Sequence, residues 1–216
     1  MSKSNVFAIL LALLVLAEPE AAFAQTYDER TSDQVLETYA ECIAAKKSGK
    51  SIQIAKYLRV PVGSELPRHI IAQLVTAKCL KGAGQMTMAP ELFGRSLYAA
   101  LYRRDFRKEP TEFARAVSYD AEFDAEFIPI SDNQVHLREV GDCAASHNLS
   151  AAHRYVVARV WSAEEEAVLP EVVAALSKCF RDGEKIAFSH SMLKGILAES
   201  LYKYRRGMTQ TEVPSA

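Results

Sequence analysis

Apolar residues recur at three- and four-residue spacing through most of the chain after residue 31, which predicts helices and not strands. Val35, Leu36, Tyr39, Ala40 and Ile43 share one face of a helix capped by Ser32 or Asp33 and running to about residue 47, where Ser48-Gly49-Lys50 breaks it. Residues 25–31 before it read as loose. Ile54, Tyr57 and Leu58 mark a short second helix, and Val60-Pro61-Val62-Gly63 a connector. A third helix, capped by Ser64, carries Ile70, Ile71, Leu74, Val75 and Cys79 as far as Gly82-Ala83-Gly84. A fourth begins near Ala89 or Pro90 and carries Leu92, Phe93, Leu97 and Leu101 to about residue 104. The same plan returns over 134–146, 151–160, a helix after Ser162 and a helix from Ser189 to about residue 204. Ser162-Ala163-Glu164-Glu165 reads as a capping box, its Glu reaching back to the cap amide. Pro170 kinks that helix or marks its true start. Elsewhere no strand-like alternation of useful length occurs, so the expected class is all-α.

The recurrence extends to residue identity. From Lys78-Cys79-Leu80 and Lys178-Cys179-Phe180 the chain matches itself at an offset of 100, through Leu97/Leu197, Leu101/Leu201, Tyr102/Tyr202 and Arg103/Lys203. Glu41-Cys42-Ile43-Ala44 matches Asp142-Cys143-Ala144-Ala145 at an offset of 101. The expected architecture is two tandem disulfide-stapled four-helix repeats, at 32–106 and 132–206. A partly ordered linker at 107–131, a flexible start at 25–31 and a flexible tail at 207–216 complete it. Four cysteines allow three connectivities; the internal match favours Cys42–Cys79 and Cys143–Cys179, each closing a loop of about 36 residues and contributing roughly 4 kcal/mol. Redox or zinc chemistry finds little footing, since no C-x-x-C and no paired Cys/His spacing is present.

The amino terminus adds a compartment. Lys3, an apolar run from 6 to 17 and Ala22-Phe23-Ala24 form an export signal with cleavage expected after Ala24. The run is shorter than the ~20 residues a membrane helix needs. A periplasmic or secreted protein without a transmembrane span in its mature chain is expected. The full chain carries 26 basic and 27 acidic residues; losing Lys3, Glu18 and Glu20 leaves 25 of each. That balance gives no support for nucleic-acid binding.

Candidate chemistry is thin. Met86-Thr87-Met88 resembles a thioether copper site, but its counterpart is Ile186-Ala187-Phe188, so a hydrophobic staple is the expectation. His69, His136, His147, His153 and His190 read as surface or half-buried side chains. Arg103, Arg104, Arg107, Lys203, Arg205 and Arg206 crowd two helix ends, where they complement the helix dipole or, as weak binding candidates, form an anion-binding edge. Glu164-Glu165-Glu166 is better explained by capping than by paired-carboxylate catalysis. Tyr102 and Tyr202 are expected in the core with polar tips at the surface. No catalytic, cofactor or metal residue is singled out, and no Walker loop, G-x-S-x-G or H-E-x-x-H is present.

Val140-Gly141-Asp142-Cys143 and the run Leu97-Tyr98-Ala99-Ala100-Leu101-Tyr102-Arg103-Arg104 resemble a group of uncharacterised exported four-cysteine proteins of alphaproteobacteria, the sphingomonad group in particular. The resemblance implies export and a disulfide-bonded helical fold, and carries over no activity and no catalytic residue. The leading expectation is a non-enzymatic binding or scaffold module whose partner is a protein or envelope component. The alternatives are an envelope-modifying hydrolase and a carrier of an apolar small molecule.

Overall fold

Helices begin where a side chain can take up the free amides of the first turn. In the computed structural model this role falls to Asp28, Asn148, Ser162 and Ser189. Asp28 accepts from the Arg30 amide and the Thr31 hydroxyl and opens α1, Glu29–Lys46. The helix thus starts three residues before the expected Ser32, and 29–31 are helical and not loose. The structure describes residues 28–46, 77–80, 89–108, 132–181, 183–184 and 186–211, with backbone alone at 77, 132 and 206–211. The export signal, the expected second helix, the expected third helix before residue 77, the Met86–Met88 motif and linker residues 109–131 lie outside them, as does His69.

A short 3-10 turn, Ala77–Cys79, follows. Next comes α2, Pro90–Asp105, with Pro90 in its first turn where a missing amide costs nothing. α3 spans Asp132–His147 and α4 Leu149–Val157. Asn148 caps α4, accepting from the Ala151 amide at 3.0 Å, so only one residue separates the two helices. α5, Ala163–Leu176, is continuous through Pro170, which sits exposed and does not mark its start. α6, Ser189-capped, covers His190–Thr211, seven residues past the expected end. The described residues are helical with no strand.

The longest contact in the fold is between α2 and α6; α1 packs on α2, and α3 on α6. Two glycines let α6 approach so closely. A Cβ on Gly195 would stand 2.4 Å from Arg95 Cβ, and one on Gly141 2.6 Å from Ile196. Leu97, Leu101, Leu197 and Leu201 are wholly buried at this crossing, each contributing roughly 1.5–3 kcal/mol. One apolar cluster runs from Leu36 and Ile43 of α1 through α2, α4 and α5 to Leu201 and Tyr202 of α6. Both halves of the described chain therefore share a core. Cys42 is bonded to Cys79 and Cys143 to Cys179. The first bridge ties α1 to the 3-10 turn, the second ties α3 to the turn after α5.

Candidate functional site

α1 places Asp33, Glu37 and Glu41 four residues apart, on one face. Like charges at this spacing repel and weaken a helix unless cations face them. Three other elements supply those cations. Arg103, in the last turn of α2, reaches Glu37 at 2.8 Å and Glu41 at 3.1 Å. Arg159, in the connection between α4 and α5, lies 3.6 Å from Glu37 and also grips Glu41. Lys194, one turn into α6, lies 3.8 Å from Glu37.

Lys194 makes its closer pair with Glu165, at 2.8 Å, and also donates to the Ala158 carbonyl. Glu165 is fully buried and Lys194 3% exposed. Burial pushes the Lys194 ammonium below the ordinary lysine range, against the opposing pull of Glu165 and Glu37; nearby Arg103 adds to the depression. Arg159, held chiefly by its hydrogen bond to Glu41, is moved the other way. Tyr155 lies under Lys194, its ring centroid 5.5 Å from Nζ; burial, reinforced by Glu165 and Asp33, raises its phenol far above the usual range.

Glu165 does more than cap. Ser162 Oγ accepts from the Glu165 amide, as a capping box requires, but the Glu165 carboxylate takes the Trp161 amide at 2.6 Å instead of the cap's own. The same carboxylate oxygen lies 2.9 Å from His190 Nδ1. Trp161 has φ 59°, a left-handed conformation that costs a bulky residue free energy. Four contacts hold it there. Its amide meets Glu165, its indole N–H donates to Asp33, its carbonyl accepts from Arg30, and its ring stacks on His190 with centroids 3.7 Å apart. Val160 donates its amide to the Glu37 carboxylate. A cavity of about 10 Å³, room for one water, sits between Glu37, Ser96, Arg103, Ser191 and Lys194.

The basic helix ends do not form a row of free cations. Arg103 is drawn into this cluster because the acidic face of α1 lies against it. Lys203 is buried beside Glu199 at 2.9 Å. Arg104 pairs with Asp105 and donates to the Ala44 carbonyl, Arg205 lies over the Phe106 ring, and Arg107 is exposed. The Arg206 side chain lies outside the described residues. Glu164 and Glu166 are exposed, away from Glu165. A second charged group is fully enclosed: Arg138 of α3 meets Glu199 of α6 at 3.0 Å.

Among the described histidines His136 and His190 are half-buried and His147 exposed, as expected, and His153 departs from the surface or half-buried reading. His153 is buried, its Nδ1 2.8 Å from the Tyr102 hydroxyl, so that tyrosine's tip is internal. The Tyr202 hydroxyl donates to Asp105. His136 meets Glu184 at 2.6 Å, and among the described histidines only His147 is exposed. Its ring lies beside the Cys143–Cys179 bridge, with ligand atoms of all three residues within 4.8 Å of one another.

The chain matches no protein-family model, no curated protein and no solved structure. No described helix is long and apolar enough to cross a membrane. Two disulfides suggest an oxidising environment outside the cytoplasm.

Proposed function

We propose that this chain is a non-enzymatic binding or scaffold module, exported to an oxidising compartment by its amino-terminal apolar segment and built from two related helical halves. One observation carries the reading. The charged side chains gathered at Glu37, Glu165 and Lys194 are turned onto one another or onto backbone groups, and the space beside them holds about one water. Such a cluster joins helices; it leaves no room for a substrate. The partner surface is read as polar, because Val173 is the one large apolar side chain exposed among the described residues. That favours an envelope polymer or a protein held by charge and hydrogen bonds. The carrier reading finds no support at the cluster, where a cavity of about 10 Å³ is too small for an apolar ligand.

A second reading has its own observation. Glu37 and Glu165, 8% and 0% exposed, both face Lys194, a pair of poorly solvated carboxylates of the sort hydrolases use. One assay separates the two. The oxidised protein is incubated with peptidoglycan, anionic vesicles and envelope polysaccharide, and both co-sedimentation and product release are followed. Retention without product, in the wild type and in Glu165→Gln alike, is expected. Product released by the wild type and lost in Glu165→Gln would replace the scaffold reading with the hydrolase.

A further inference from the structure

We infer that reduction of the Cys143–Cys179 bridge opens a site for a thiophilic divalent cation of the zinc class, with His147 as the third protein ligand. α3 sets Cys143 and His147 four residues apart, on one face. Cys179 is presented by the turn after α5, which is fixed by hydrogen bonds from the Lys178 amide to Ala175 and from the Cys179 amide to Leu176. The two sulfurs and a His147 ring nitrogen lie within 4.8 Å of one another. A tetrahedral zinc bound through sulfur at about 2.3 Å and nitrogen at about 2.0 Å keeps its ligand atoms roughly 3.5–4 Å apart. The change needed is a parting of the two sulfurs and a turn of an exposed imidazole. Three ligands leave a fourth position for water. His147 is the last residue of α3, where the helix dipole favours a cation.

The other bridge is a built-in contrast. The offset of 101 that matches Cys42 to Cys143 matches Lys46 to His147, and Lys46 ends α1 as His147 ends α3. A protonated lysine has no lone pair to offer. In the first bridge Cys42 is partly exposed and Cys79 buried, whereas Cys143 and Cys179 are both partly exposed, so the second bridge offers a reductant two reachable sulfurs and the first only one.

The chemistry balances with a dithiol reductant. One of its thiolates attacks a protein sulfur to give a mixed disulfide, and its second thiol resolves that bond. The reductant leaves as a disulfide and the protein keeps two thiols. Ala175 O, 3.5 Å from Cys179 Sγ, is placed to accept the new thiol hydrogen. Binding of the cation then releases two protons to solvent and leaves two thiolates against two positive charges.

The test uses the full chain, reduced anaerobically with a phosphine and titrated with Co²⁺, read by thiolate-to-cobalt absorption and competed with Zn²⁺. The expected result is one Co²⁺ per reduced chain and none in the oxidised protein. Binding persists in Cys42→Ser/Cys79→Ser, disappears in Cys143→Ser/Cys179→Ser, and weakens at least about tenfold in His147→Ala. Mass spectrometry after alkylation of the reduced wild type gives a second reading, with Cys143 and Cys179 protected by the metal and Cys42 and Cys79 modified. Equal protection of both pairs, unchanged affinity in His147→Ala, or loss of the helical circular-dichroism signal on reduction would each overturn the inference.

Discussion

Two charged clusters are buried against α6, and they differ in reach. The first gathers Glu37 from α1, Arg103 from α2, Glu165 from α5 and Lys194 from α6, and opens to solvent through Arg159, 62% exposed. The second holds Arg138 of α3 against Glu199 and Lys203 of α6 and is closed, each side chain 2–3% exposed. The sequence offsets pair Glu37 with Arg138 and Arg103 with Lys203. These two pairs are charged in both, with the sign reversed at 37 and 138, while the offset of 100 sets Lys194 on Gly94 and Glu199 on Ala99. What is attached to the first cluster alone, the strained Trp161, the stacked His190 and the small cavity, is what a particular function could use.

The largest expected effects come from emptying the centre of each cluster. Glu165→Ala leaves Lys194 without its closest carboxylate and the Trp161 amide without its acceptor, and Glu199→Ala leaves Arg138 beside Lys203. Each should lose about 3–5 kcal/mol in urea unfolding. Only Glu165→Ala should also shift the emission of the chain's single tryptophan; equal shifts in both variants would erase the distinction. Apolar replacement separates them further. Arg138→Met with Glu199→Leu and Lys203→Met should be neutral or stabilising by about 1–4 kcal/mol, since a closed cluster gives up mostly desolvation cost. Glu165→Leu with Lys194→Met should still destabilise by about 1–3 kcal/mol, because the Trp161 amide stays buried without an acceptor.

Arg159→Ala should cost under about 1 kcal/mol, and less in high salt, as an exposed pair does; a larger, salt-independent loss would mean the first cluster is as closed as the second. The smallest effect is in pH. Lys194 is held below its ordinary pKa of 10.5, so between the folded value and 10.5 the unfolded chain binds its proton more tightly. Its cost is full below the folded pKa and fades as pH rises toward 10.5. The stability of the wild type relative to Lys194→Met should therefore improve from pH 7 to pH 10; an opposite trend would mean the ion pairs outweigh burial.

Much of the helical frame was legible because its signals are local. Ser162 and Ser189 cap as read, and Pro90 stands in a first turn. The cysteine pairs were legible because the chain states them twice. The first cluster was not, because its partners are remote: Trp161 meets Asp33 across 128 positions. Glu165 was read as reaching back to the cap amide, whereas its carboxylate takes the Trp161 amide and Lys194. Arg103 and Lys203 were read as solvated helix ends because nothing in their own segments reveals the acids they face. A signal did exist. Asp33, Glu37 and Glu41 form an acidic stripe at four-residue spacing beside Leu36, Tyr39 and Ile43, and such a stripe next to an apolar face calls for buried cations.

The central claim is that the first cluster joins the two halves of the chain and does no chemistry. A double-mutant cycle on Glu165 and Lys194 tests it most directly, with Glu165→Gln, Lys194→Met and the pair compared by urea unfolding of the oxidised protein. A structural joint predicts that each single variant loses about 2 kcal/mol or more and that the two are coupled by at least about 1 kcal/mol. Single variants as stable as the wild type, or more so, would contradict it, since groups held for catalysis at the expense of stability show that pattern when they are neutralised.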